Sequence, residues 1–112
     1  MMRRQRFIGL VNVERDRAGL PSYQISWSLH RRAQDHARRM AAATRVFHDD
    51  GYQGGEAVGA MATDWPLQKL LDAFLDSPHH RPVILAPAYV EQIGVGMRVG
   101  EDGIRYVAVF VQ

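Results

Sequence analysis

The stretch EQIGVGMRVGEDGIRYVAVFVQ, residues 91–112, decides the fold. Apolar residues alternate with glycine and arginine over residues 93–99, which is the period of a β-strand. The GEDG segment at residues 100–103 then predicts a turn into a second strand. Because residues 106–111 are apolar on both faces, this second strand should be central, with helices covering each side.

Four amphipathic or capped segments upstream of the hairpin predict helices, and Glu56–Ala60 predicts one more short strand. The predicted helices cover residues 4–18, residues 26–43 with Ser26 as the cap, residues 64–76 with Asp64 as the cap, and a short segment opened by Ser77 and Pro78. Together these elements predict an α+β domain, a three-layer α-β-α sandwich with a small antiparallel sheet.

Length and composition set the broad class. The chain has 112 residues, which predicts a single domain over residues 1–112. With 46% hydrophobic and 23% charged residues, the composition is that of a folded globular protein. No cysteine is present, so disulfides and thiolate zinc sites are excluded. We expect no membrane span, and the first residues show no signal-peptide core.

The charge is unevenly distributed along the chain. Residues 1–45 carry ten arginines and three acidic residues, a balance of +7, whereas residues 46–112 carry four basic and nine acidic residues, a balance of −5. The arginines at 31, 32, 38 and 39 share helical spacing with Asp35, and no aromatic residues are interleaved among them. A solvated helix face is therefore favoured, and we expect no nucleic-acid partner.

The segment VFHDDGYQGGEAVGA, residues 46–60, holds more reactive side chains than a simple connection needs, among them His48 and Glu56. Two further histidines, His79 and His80, are adjacent and diverge by about 100° on a helix, so only one of them should face a pocket. His36 lies at helical spacing from buried-type residues, which predicts a core-edge histidine satisfied by hydrogen bonds.

Several motifs in order resemble those of a bacterial CAP domain, also called SCP. They are LVNVERDRAGL, residues 10–20; FHDD, residues 47–50; GGEAVG, residues 54–59; SPHHRPVIL, residues 77–85; and IGVGM, residues 93–97. The superfamily includes cysteine-rich secretory proteins, insect antigen 5 and plant pathogenesis-related class 1 proteins. The resemblance implies an α-β-α sandwich with a cleft in which His48, Glu56 and His80 converge. In animal members a second glutamate completes the set, and Ser77 stands at the corresponding position here.

Two imidazoles and one carboxylate suit zinc or another divalent cation, with one position left for water. We therefore predict His48, His80 and Glu56 as metal ligands and Asp49 as an acceptor for an imidazole N–H. Ser77 joins these residues as part of the ligand-binding cleft. The alternative is a hydrogen-bonded cluster that only ties the loop to the sheet.

Two functions follow from this hypothesis. The first is a binding module for a divalent metal and a small molecule, lipid or peptide. The alternative is a metal-assisted hydrolase, acting on peptides or esters, in which Glu56 is the catalytic general base. Ala57 and Val83 replace the asparagines usual in the family, which removes two side-chain amides from the cleft. Because relatives are typically exported, the resemblance also implies an extracellular or cell-envelope location.

Overall fold

The computed structural model describes residues 2–112 and arranges them as helices around one sheet. The elements are α1 (Arg3–Arg17), β1 (Gln24–Ile25), α2 (Trp27–Ala43), β2 (Gly55–Ala62), α3 (Leu67–Asp76), α4 (Arg81–Ile84), β3 (Gln92–Val99) and β4 (Ile104–Val111).

The sheet has the strand order β1-β3-β4-β2. Strands β3 and β4 form the predicted antiparallel hairpin, and Gly103 in its turn has a φ of 77°, a conformation that glycine adopts readily. Strand β2 pairs antiparallel with β4. Strand β1 was not predicted, and it pairs parallel with β3, so the sheet is mixed rather than purely antiparallel.

Both faces of β4 are buried, as its sequence predicted. Val107, Val109 and Val111 join the core that contains the apolar side chains of α1, α3 and α4. Tyr106 and Phe110 face the second core, which α2 supplies. The sheet therefore lies between two helical layers, which confirms the predicted α-β-α arrangement.

Among the helices of residues 2–112, α2 alone begins with a side-chain cap. The hydroxyl of Ser26 accepts the N–H of Leu29, which confirms the predicted start of α2. Helix α3 begins after Pro66, so the predicted cap at Asp64 is wrong. The prediction that Ser77 opens the fourth helix is also wrong, because the Ser77 side chain hydrogen-bonds to His80 and α4 begins only at Arg81.

His30 on α2 is buried against β3, where its Nδ1 atom accepts the N–H of Val95 at 3.1 Å. Burial, together with the charge of Arg4, lowers the pKa of His30 from its ordinary 6.5 to about 4. The folded protein thus holds this ring in the neutral form at pH values where an exposed imidazole takes up a proton.

We expect the free energy of unfolding to fall as the pH falls from 6.5 to 4, because the unfolded ring binds a proton and the folded ring does not. The expected loss is on the order of 1–3 kcal/mol. Urea unfolding at several pH values measures it. His30→Asn keeps an acceptor near Val95 without titrating, so its stability should change less over this range. Equal pH dependence in both proteins would contradict the assignment.

Candidate functional site

The loop between α2 and β2 is fixed to the sheet by aromatic packing. Helix α2 ends at Ala43, and the next residue, Thr44, has the left-handed conformation with a φ of 51°. The Tyr52 ring then stacks on Phe110, with 4.5 Å between ring centroids, and its hydroxyl donates to the Val111 carbonyl at 2.6 Å. A side chain at Gly54 would collide with the Tyr52 ring and the Val111 carbonyl, so glycine lets the loop enter β2.

The structure brings His48 and Glu56 together. His48 Nδ1 lies 3.4 Å from Glu56 Oε1. The His48 side chain is 63% exposed, whereas the Glu56 side chain is only 9% exposed. The backbone N–H of Asp49 donates to Glu56 Oε2 at 2.7 Å and holds the carboxylate in place. The pair thus combines a fixed carboxylate with an imidazole that solvent reaches.

His36 lies on the buried side of this site, next to Glu56. The ring is fully buried; its Nε2 atom donates to the Phe47 carbonyl at 2.6 Å, and its Nδ1 atom accepts from Arg39 at 3.1 Å. These bonds confirm the predicted core-edge histidine. His36 Nε2 also lies 3.8 Å from Glu56 Oε2, a proximity that sequence reasoning missed. No local pattern signals it, because His36 lies on α2 and Glu56 on β2.

His80 is held by hydrogen bonds at both ring nitrogens. Nε2 lies 3.0 Å from the Val58 carbonyl, which only accepts, so Nε2 carries the proton. Nδ1 then accepts from the Ser77 hydroxyl at 2.8 Å. The neighbouring His79 is exposed, in agreement with the prediction that only one of the two faces inward. The ring of His80 ties the segment before α4 to β2.

The residues do not fit the three-ligand zinc centre that the family resemblance implies. With Nε2 protonated and Nδ1 accepting from Ser77, His80 has no free nitrogen lone pair to offer a metal. Within residues 2–112, no three His, Asp or Glu side chains are grouped so that they could hold a metal ion. His48 and Glu56 are the two predicted ligands that the structure places in contact.

Asp49 has a different role from the predicted one. Its carboxylate pairs with Arg32 at 2.9 Å and lies 3.5 Å from Arg39, rather than orienting an imidazole. Burial acts to raise the pKa of Asp49, but hydrogen bonds from Arg32 and the Gly51 N–H, with the charges of both arginines, lower it below its ordinary value. Arg32 and Arg39 are seven apart on α2, a spacing that places them on one face.

Arg32, Arg39 and Asp49 also border an open hollow of about 550 Å³, whose lining does not include His48 or Glu56. Its walls include Arg32, Arg39, Asp49 and Tyr52. Asp49 links the hollow to the His48–Glu56 pair, because its backbone N–H donates to Glu56 while its carboxylate pairs with Arg32 at the edge of the hollow.

A comparison with protein families identifies the class of protein to which this α-β-α fold belongs. The family description "Cysteine-rich secretory protein family", CAP, matches residues 8–112. This chain therefore belongs to the CAP family, although it has no cysteine of its own.

Solved structures show the same fold. An outer surface protein from Borrelia burgdorferi aligns with a TM-score of 0.80 and 16% identity, covering 96% of this chain and 90% of that one. A cysteine-rich secretory protein from Staphylococcus aureus gives a TM-score of 0.71 and 18% identity, covering 96% of this chain and 37% of that one. The hookworm platelet inhibitor gives 0.71 and 10% identity, covering 97% of this chain and 68% of that one. No curated protein matches the sequence.

Across residues 2–112, none of the helices combines the length and the apolar character that crossing a bilayer requires.

Proposed function

We propose that this CAP domain is a binding module that holds a small polar ligand at His48 and Glu56 without chemical turnover. The observation that carries the proposal is the 3.4 Å contact between an exposed imidazole and a nearly buried carboxylate. The carboxylate is oriented before any ligand arrives, because Asp49 already donates to it. A ligand therefore meets a fixed acceptor beside an exposed imidazole.

Among small molecules, lipids and peptides, an amide-containing ligand suits this pair best. An amide carries one N–H donor and one carbonyl acceptor. Glu56 offers a carboxylate oxygen to the donor, and an imidazole N–H of His48 offers a hydrogen bond to the carbonyl. Peptides present this group repeatedly, so we propose a short peptide as the ligand class.

We propose in addition that His48 and Glu56 bind a divalent cation, but only weakly. One imidazole nitrogen and one carboxylate oxygen are suitable donors for zinc, and water would supply the others. Metal-assisted hydrolysis with Glu56 as the base is less well supported. It needs His80 to give up its bonds to Ser77 and Val58 and join His48 on the metal.

The test uses a panel of short N-acetylated peptide amides and follows backbone amide signals by NMR. We expect at least one peptide to shift the Asp49 amide signal, and Glu56→Gln and His48→Ala to weaken that binding by about tenfold or more, the effect of losing one charge-assisted hydrogen bond. His79→Ala removes an exposed imidazole outside the pair and should bind as the parent does.

Unchanged affinity in both Glu56→Gln and His48→Ala would contradict the proposed site. Cleavage of a bound peptide by the parent protein, lost in Glu56→Gln, would contradict the absence of turnover and favour the hydrolase.

We also propose an extracellular or cell-envelope location. The similar structures include an outer surface protein and an extracellular protein of Bacillus anthracis. Fractionation of the producing cells tests this, with the protein expected in the envelope or medium; recovery only from the cytoplasm would contradict it.

A further inference from the structure

A strongly basic surface lies where the start of α1 meets α2 and the end of β3. It consists of two neighbouring hollows of about 370 and 290 Å³ that share Arg4 and Gln34. The described residues that line them include six arginines and one acidic residue, Asp35. The arginines are Arg3, Arg4, Arg31, Arg38, Arg98 and Arg105. We call this surface the basic face.

The positive charge of the basic face is poorly balanced within the described part of the chain. Asp35 pairs with Arg38 at 2.9 Å, and Arg4 donates instead to the carbonyls of Val95 and His30. Burial and the charge of Arg38 lower the pKa of Arg4. An anion placed over this face would relieve the repulsion between its arginines.

At the other end of the basic face, the pKa of Arg105 is lowered in the same way as that of Arg4. Its side chain donates to the Thr63 carbonyl, and burial with the charge of Arg3 lowers its pKa. A neighbouring arginine therefore adds to the effect of burial on the pKa at two separate places on one surface.

Exposed apolar side chains accompany these arginines. Trp27 is 61% exposed and lines one hollow, while Met2, at 71%, and Val99, at 43%, line the other. Tryptophan beside basic residues is typical of surfaces that rest in the headgroup region of a membrane. A nucleic acid would match the charge but would leave Met2 and Val99 facing water.

We infer that the basic face docks on an anionic phospholipid surface, with its arginines at the headgroups and Trp27 and Met2 at the interface with the acyl chains. The contact is peripheral and does not involve His48 or Glu56. The inference is therefore independent of the proposed ligand site, and either one can fail without the other.

Co-sedimentation with vesicles tests this inference on the full chain. We expect binding to phosphatidylcholine vesicles that contain about 30% phosphatidylglycerol, weakening at high salt, and no binding to phosphatidylcholine alone. The triple variant Arg3→Gln, Arg31→Gln, Arg98→Gln removes three exposed charges and should weaken binding by roughly a hundredfold. Arg17→Gln, at the opposite end of α1, is the matched control and should bind as the parent does.

Trp27 itself provides the second measurement. The chain has two tryptophans, so Trp65→Phe leaves Trp27 as the only indole. Its fluorescence should shift to shorter wavelength with the anionic vesicles and stay unchanged with duplex DNA. Equal binding to neutral vesicles, an unshifted Trp27 emission on anionic vesicles, or duplex DNA binding as tight as vesicle binding would each overturn the inference.

Discussion

Alanine at Gly94 or Gly96 should prevent stable folding. A Cβ atom at Gly94 would collide with the backbone of Leu29 and His30, and one at Gly96 with the backbone of Ala33. These are main-chain atoms of α2, which lies directly on β3 and cannot move aside as a flexible side chain can. We expect each substitution to lower the free energy of unfolding by more than about 4 kcal/mol, a large part of a small domain's stability.

Gly9→Ala is the matched control for these substitutions. Gly9 lies within α1, and nothing is within 4 Å of the position that its Cβ would occupy. Because alanine favours a helix, this variant should gain about 0.5–1 kcal/mol. Urea unfolding monitored by circular dichroism compares the three variants. Stability within about 1 kcal/mol of the parent for both Gly94→Ala and Gly96→Ala would show that α2 does not lie this close to β3.

Arg15→Met should have the next largest effect. Arg15 is completely buried and donates to the carbonyls of Pro21 at 2.8 Å, Ile84 at 3.1 Å and Ala86 at 2.9 Å. Its guanidinium also lies 3.8 Å from the centre of the Tyr23 ring. Methionine fills a similar volume but leaves three carbonyls without this donor. We expect a loss of about 3–5 kcal/mol in the free energy of unfolding.

Arg17→Met separates this effect from the loss of a surface charge. Arg17 is 71% exposed and pairs with Glu14, so its replacement should change stability by less than about 0.5 kcal/mol. Arg15→Lys keeps the charge but cannot reach all three carbonyls, and it should fall between the two methionine variants. Thermal unfolding ranks the variants. Equal stability of Arg15→Met and Arg17→Met would contradict the role of Arg15 in joining α1 to the segment after α4.

Much of the fold was predictable because its signals are local. The period of two in β3, the two apolar faces of β4 and the Ser26 cap each follow from neighbouring residues. Strand β1 has only two residues and exists through its parallel pairing with β3, which no local pattern reveals. The start of α4 was mispredicted because Ser77 and Pro78 are a good helix opening, yet the Ser77 hydroxyl bonds to the His80 ring and caps no backbone N–H.

The sequence predicted which residues form the site better than it predicted what each of them does. The family motifs indicated His48 and Glu56, which the structure places in contact. The direction of the His80 ring depends on the outward carbonyl of Val58, a feature of the sheet edge rather than of any motif. Similarly, Asp49 meets arginines instead of an imidazole because α2 presents Arg32 and Arg39 to the loop.

Ring-nitrogen NMR of the histidines during a zinc titration tests the central claim most directly, namely that His80 supports the structure while His48 and Glu56 form the binding pair. The account predicts that, at mildly alkaline pH, His80 carries its proton on Nε2 and keeps its signals unchanged as zinc is added, whereas any response occurs at His48. Signals of His48 and His80 that shift together, with saturation at one zinc per chain, would contradict it.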